Sequence, residues 1–80
     1  MAKLDRLALA TKFVAALHDV SLRKPASWHR VSALAARTGI KGAELAQVVA
    51  DSVAAGLVEQ QVDSPSLVSL TNKGWLFASR

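Results

Sequence analysis

The stretch Val31-Ser-Ala-Leu-Ala-Ala-Arg-Thr-Gly-Ile40 decides how the middle of this chain folds. Ser32 is a good N-cap, and it predicts a helix that runs to about Thr38. Gly39 can adopt the left-handed backbone that commonly ends a helix. Ile40 then brings an apolar side chain to the junction. These residues predict a short helix that ends in a tight turn.

A second helix is predicted after the turn, from about Gly42 to Ala55, and Gly56 closes it. At about 100° per residue, its side chains divide into an inner apolar face and an outer face of small and polar residues. The inner face is predicted to hold Leu45, Val48, Val49, Ser52 and Val53. The outer face, which a ligand would meet, is predicted to hold Ala43, Glu44, Gln47, Ala50, Asp51 and Ala54.

Upstream of the quoted stretch, residues 3 to 20 contain neither Gly nor Pro and predict a first helix of about five turns. This helix is apolar on two faces. One face holds Leu9, Phe13, Ala16, Leu17 and Val20. The other holds Leu4, Leu7, Ala8, Thr11, Val14 and Ala15.

The second apolar face predicts a partner subunit, because a chain this small has one core to offer. We therefore expect a homodimer. The expected dimer interface includes Leu4, Leu7, Thr11 and Trp75. In the alternative interpretation, the C-terminal segment covers the leucines, and the alanines and threonine stay exposed at little cost.

The remaining segments predict a loop, a short sheet and a last helix. Residues 21–27 are polar and contain a proline, which predicts a loop. Trp28 to Val31 predict a very short strand. The runs 57–62 and 66–70 predict a hairpin around a turn-forming Asp-Ser-Pro trio. Thr71 is an N-cap candidate for a short final helix.

The composition fits one globular domain spanning residues 1–80, of which 51% are hydrophobic and 20% charged. Ten Lys and Arg against six Asp and Glu give a net charge of +4, which favours a polyanionic partner. Many small domains carry such an excess for solubility alone. Cysteine is absent and no uninterrupted run of about 18 apolar residues occurs, so we expect a cytoplasmic protein without a membrane span.

Three local sequences resemble parts of the winged-helix fold. The stretch 31–40 resembles a helix-turn-helix core, and Ala54-Ala-Gly-Leu-Val58 resembles the junction of a recognition helix with the wing. Val68-Ser-Leu-Thr-Asn-Lys-Gly74 is similar to the end of the wing in MarR-type and related bacterial regulators. Together the three matches span about residues 31 to 74.

The resemblance implies an α+β, mainly α, fold. This is a winged helix with three helices, a two- to three-stranded β-wing and a short C-terminal helix. The helix-turn-helix would span about 32–55 and the wing about 57–70. In that family the third helix enters the major groove of double-stranded DNA, usually in a symmetric dimer. The resemblance thus implies a small transcriptional regulator or DNA accessory factor, which is not an enzyme and uses no cofactor.

The candidate DNA contacts are basic or amide side chains before and within the two central helices. They are Lys24, His29, Arg30, Arg37, Lys41 and Gln47. Lys41 and Gln47 are expected to approach base edges, whereas the other cations would contact phosphates. Alternatively, each cation is simply a solvated surface charge.

Several residues depart from the family's pattern. Glu44 and Asp51 lie on the outer face of the predicted recognition helix, where they would meet phosphates. The wing segment 60–67 contains no Lys or Arg. Lys41 stands where such helices often begin with Ser or Thr, and Ser52 stands where Leu is common. Glu44, Asp51 and the uncharged wing favour the alternative function, a winged-helix module for protein–protein assembly that does not bind DNA.

The sequence shows no pattern typical of catalysis or metal binding. His18 and His29 lie on separate predicted elements with no Cys or carboxylate at metal-ligand spacing, and His18 is expected on the surface of its helix. Trp28 and Trp75 are expected in the core; if either is exposed, we expect Trp75 to be the one, as part of a subunit interface.

Overall fold

A computed structural model describes the backbone of residues 2–23 and 28–79, and the side chains of residues 7–23 and 28–79. The elements are α1 (Ala2–Arg23), β1 (His29–Arg30), α2 (Val31–Thr38), α3 (Ala43–Ala54), β2 (Val58–Gln60), β3 (Leu67–Leu70) and α4 (Asn72–Ala78). Over these ranges the chain is mainly helical, with a small antiparallel sheet. The predicted α+β, mainly α, class is therefore confirmed.

The sheet pairs β1, which precedes α2, with the hairpin of β2 and β3, which follows α3. Its strand order is β1-β3-β2, with both neighbouring pairs antiparallel. His29 pairs with Val68, and Val58 pairs with Leu70. Because β3 lies between the other two strands, the hairpin is held against the start of α2.

The core is formed where α1 crosses the helix pair and the sheet. Phe13, Val14 and Leu17 of α1 are completely buried. They share one core with apolar side chains from α2, α3, both hairpin strands and the two connections that flank α3, which are Leu34, Ile40, Val48, Val49, Leu57, Val58, Val68 and Leu70. The assignment of Val14 to the second, partner-facing side of α1 is wrong, because Val14 is completely buried in this core, where α1 packs against α2, α3, α4 and β3.

The turn between α2 and α3 forms as its residues predict. Gly39 has φ = 77° and donates its N–H to Ala35 O at 2.8 Å, which ends the helix. The hydroxyl of Thr38 donates to Leu34 O at 2.9 Å and accepts the N–H of Ile40 at 3.3 Å. Ile40 is buried and fixes the junction against the core.

The start of α2 differs from the prediction. Arg30, not Ser32, occupies the N-cap position, and no side chain caps the helix. The N–H of Val31 instead donates to Ser66 O at 2.8 Å. The pairing of β1 with β3 thus continues into the first helical residue, and the sheet satisfies one of the N–H groups that have no partner within the helix.

The ends of the other elements differ by a few residues from the predicted ones. Helix α1 continues to Arg23, through part of the predicted loop, because Ser21 lies one turn beyond Leu17 and is buried with it. Thr71 does cap α4, since its hydroxyl accepts the N–H of Gly74 at 3.0 Å. The same hydroxyl donates to Gly56 O at 2.6 Å.

The two tryptophans reverse the expected order of exposure. Trp28 is 39% exposed, so its assignment to the core is wrong. Trp75 is half-buried against the core, and its ring meets the ring of His18 edge-on, with centroids 4.9 Å apart. The packing of α4 onto α1 creates this contact, and it withdraws both rings from the open surface.

Candidate nucleic-acid interface

Helix α3 buries one side and leaves the other open. Val48, Val49 and Ser52 are buried, as predicted for the inner face. The exposed side holds Ala43, Glu44, Ala46, Gln47, Ala50 and Ala54. Val53 was predicted on the inner face, but it is 37% exposed, because it lies about 100° beyond Ser52 and past the edge of the buried stripe.

The entrance to α3 is formed by Lys41 and Gly42, both of which are exposed. Gly42 is the N-cap residue, with φ = 66°, and its carbonyl accepts the N–H of Leu45 at 3.1 Å. No side chain caps this end of the helix. The Lys41 cation therefore lies beside free N–H groups at the positive end of a helix dipole, an arrangement that favours an anion.

A hydrogen bond within α3 orients the amide of Gln47. Its Nε2 donates to Asp51 Oδ1 at 3.0 Å. An ionised carboxylate only accepts hydrogen bonds, so the NH₂ group of the amide must face Asp51. One N–H and the carbonyl oxygen of Gln47 remain for other partners. Asp51, which the sequence places opposite phosphates, is half-buried, and it keeps its negative charge beside Gln47.

Arg37 is held against α1 by an ion pair. Its guanidinium donates to the Asp19 carboxylate, and both side chains are exposed. The contact links the last turn of α2 to α1. As an exposed pair it contributes little stability, on the order of 1 kcal/mol or less. Arg37 thus has a structural partner in place of the phosphate that the sequence pattern predicts for it.

The three remaining predicted phosphate contacts are placed differently from one another. Arg30 is exposed at the junction of β1 and α2. His29 is half-buried, and its Nε2 is buried without a hydrogen-bond partner among the described residues. Nε2 of His29 therefore does not reach the surface. Lys24 lies outside the described residues.

The hairpin flanks the exposed side of α3. A groove of about 470 Å³ separates them, with Ala46 and Ala50 on the helix side and Gln60 and Pro65 on the hairpin side. Gln60 Nε2 donates to Pro65 O at 2.8 Å, which ties the two arms of the hairpin together. At the tip, Val62 is 92% exposed, a feature that the strand pattern did not single out.

The predicted dimer residues do not form one patch. Leu7 is 61% exposed, and Thr11 lies one turn along α1, where its hydroxyl donates to Leu7 O at 2.8 Å. Trp75 instead contacts His18, which is about 16 Å along α1 from Leu7. The side chain of Leu4 lies outside the described residues. The structure therefore brings only Leu7 and Thr11 together.

No group of three His, Cys, Asp or Glu side chains that could hold a metal ion occurs within residues 7–23 and 28–79. None of the helices in the described ranges has the length and apolar character needed to cross a membrane. The chain shows no significant similarity to a known family model, to a curated protein or to a solved structure.

Proposed function

We propose that the chain is a winged-helix protein that binds double-stranded DNA and acts by binding, not by catalysis. The observation that carries the proposal is the open side of α3. Most of its side chains are alanines, which let the helix backbone approach a ligand closely. A helix about 10–12 Å across matches a major groove about 12 Å wide.

The order of elements supports the winged-helix assignment. A short strand leads into two helices joined by a tight turn, and a hairpin returns to pair with that strand. The hairpin lies beside α3, which is where a wing would contact the DNA backbone next to the groove. In this arrangement α3 is the recognition helix.

The charges around α3 suit an acidic ligand. Arg30 and Lys41 are exposed and have no ion-pair partner among the described residues. Arg30 would contact a phosphate beside the groove. Lys41, at the entrance to α3, would also contact a phosphate, in place of the base edge that the sequence pattern predicts for it. Gln47, with one N–H and one carbonyl oxygen still available, presents the donor and acceptor pair that adenine's major-groove edge requires. Glu44 is the carboxylate that opposes binding.

We further propose that the protein acts as a homodimer and regulates transcription or organises DNA, a role it would exercise in the cytoplasm. The second copy would cover the exposed side of α1 around Leu7 and Thr11. Two copies related by a two-fold axis would place their α3 helices in half-sites about 34–36 Å apart.

The test of DNA binding is a fluorescence-anisotropy titration with a random-sequence duplex at about 50 and 200 mM salt. We expect binding that weakens steeply at the higher salt. The double variant Arg30→Ala plus Lys41→Ala should bind more weakly and lower the slope of log K against log salt by about 2, one for each phosphate contact.

A matched double variant, Lys12→Ala plus Lys73→Ala, removes the same charge from α1 and α4. It should leave the salt slope within experimental error of the parent protein. Equal losses in the two double variants would mean that net charge alone drives binding, and the assignment of α3 as the reading helix would then be wrong.

One observation favours the second candidate function, protein–protein assembly. Val62 is almost fully exposed at the tip of the hairpin, and residues 58–70 contain Glu59 and Asp63 but no Lys or Arg. An apolar, acidic wing tip suits a protein partner better than a phosphate backbone. Absence of DNA binding at both salt concentrations would make this candidate the leading one.

A further inference from the structure

A cavity of about 400 Å³ lies between α1, α3 and α4, away from the open side of α3. Leu7 and Ala10 of α1 and Phe77 of α4 form apolar walls. This volume falls within the roughly 300–1,000 Å³ that small-molecule sites occupy. It is too large for a single ion and too small for a protein segment with secondary structure.

The cavity exists because small residues face it from two helices. Ala10 lines it from α1, and Ser52 and Ala55 line it from α3. Ser52 is completely buried, and its hydroxyl has no hydrogen-bond partner in the described part of the chain. Close packing normally fills such a space and pairs such a hydroxyl. The region is therefore under-packed.

Two charged side chains line the cavity, Lys73 from α4 and Asp51 from α3. Lys73 lines the rim from the first turn of α4, and its side chain crosses Gly56, where a Cβ atom would lie 3.6 Å from Lys73 Cδ. No carboxylate among the described residues forms an ion pair with Lys73. Asp51, the acidic residue on the same rim, already accepts a hydrogen bond from Gln47.

We propose that this cavity binds a small monocarboxylate with an apolar body. The apolar part would fill the space between Leu7, Ala10 and Phe77, and the carboxylate would pair with Lys73 Nζ at the rim. Of the two charged groups, Asp51 already accepts a hydrogen bond from Gln47, whereas Lys73 has no ion-pair partner among the described residues, so a ligand acid gains a partner there that an alcohol or an amine of the same shape does not gain. The site lies away from the open side of α3, so it does not rest on DNA binding. Leu7 and Thr11 line the cavity and also belong to the proposed dimer face, so a ligand and a second copy would compete for it.

The test is isothermal titration calorimetry of the whole chain with octanoate, octanol and octylamine, which share one chain length and differ in charge. We expect one octanoate per chain, weaker binding of octanol and the weakest binding of octylamine. A parallel titration with benzoate shows whether the cavity prefers a carboxylate with a flexible chain or one with a ring. Octylamine binding as tightly as octanoate would overturn the proposal.

Lys73→Gln should weaken octanoate binding by about tenfold or more, as expected for the loss of one charge-assisted hydrogen bond, and should leave octanol unchanged. Lys73 also lies near the C-terminal end of α3, where a cation stabilises a helix. If that is its only role, Lys73→Gln will lower thermal stability and affect octanoate and octanol equally, and the proposal fails.

Ala10→Leu should fill the cavity and abolish octanoate binding without lowering the melting temperature. Ala8→Leu, which adds the same side chain at an exposed position outside the cavity, should bind octanoate as the parent protein does. Leu7 also belongs to the proposed dimer face, so each titration is made at two protein concentrations. Binding that disappears as the protein dimerises would show that a second copy fills the cavity instead.

Discussion

At the residue scale, Ser52 combines complete burial with a hydroxyl that has no partner among the described residues. A buried, unpaired hydroxyl costs about 1–3 kcal/mol of stability. Because no described group bonds to this oxygen, removing it leaves no other described polar group without its partner. The buried hydroxyl of Ser52 therefore lowers the free energy of unfolding.

Ser52→Ala is expected to raise the free energy of unfolding by about 1 kcal/mol, because the desolvated hydroxyl is removed. Urea denaturation followed by far-UV circular dichroism measures the change. Ser32→Ala is the matched control, since it brings the same gain in helix propensity at an exposed position in α2. If Ser52→Ala destabilises the protein relative to this control, the hydroxyl has a partner in solution.

Three residues show where local sequence rules hold in this fold and where they fail. Gly39 and Thr71 behave as predicted, because a positive φ and an N-cap depend on atoms within a few residues. Ser32 does not cap α2, because the sheet pairing carries through Val31 to the carbonyl of the distant residue Ser66, and the helix already begins at Val31. Local rules fail where a long-range contact fixes the backbone.

At the element scale, α4 packs against the start of the hairpin through a single glycine. A Cβ atom at Gly74 would lie 2.1 Å from Leu57 O and 2.8 Å from Leu70 Cδ1. The helix can approach the backbone at Leu57 only because position 74 has no side chain. The same approach lets Thr71 bond to Gly56 and brings Trp75 to His18.

Gly74→Ala is expected to lower the free energy of unfolding by about 2 kcal/mol. Alanine favours the helix by about 1 kcal/mol, but the clash with a backbone carbonyl costs more and determines the sign. Asn72→Ala, at an exposed position in the same helix, should change stability by less than about 0.5 kcal/mol. Thermal unfolding of both variants gives the comparison, and a rise in melting temperature for Gly74→Ala would show that α4 can shift outward.

At the scale of the whole molecule, the exposed side of α1 is where the proposed second copy would pack. Leu7→Glu should shift the protein towards monomer and raise the dimer dissociation constant at least about tenfold, because a buried, unpaired carboxylate is costly. Sedimentation velocity measures the shift. Leu22 is equally exposed, at 61%, and lies about 22 Å along the same helix, so Leu22→Glu is the control.

Dimerisation that responds equally to Leu7→Glu and Leu22→Glu would contradict an interface centred on Leu7. A parent protein that is monomeric at all concentrations would remove the dimer from the proposed function. DNA binding by a single copy could still hold in that case, because it depends on α3.

The helices, the turn at Gly39, the hairpin and the α+β class can be predicted from the amino-acid sequence, because they depend on backbone preferences and on the period of apolar residues. Which surfaces remain open depends on packing between distant elements. The burial of Val14, the pairing of Arg37 with Asp19 and the burial of His29 Nε2 each require elements far apart in the chain to meet in space. The cavity beside Lys73 arises in the same way, from three helices that no local pattern relates to one another.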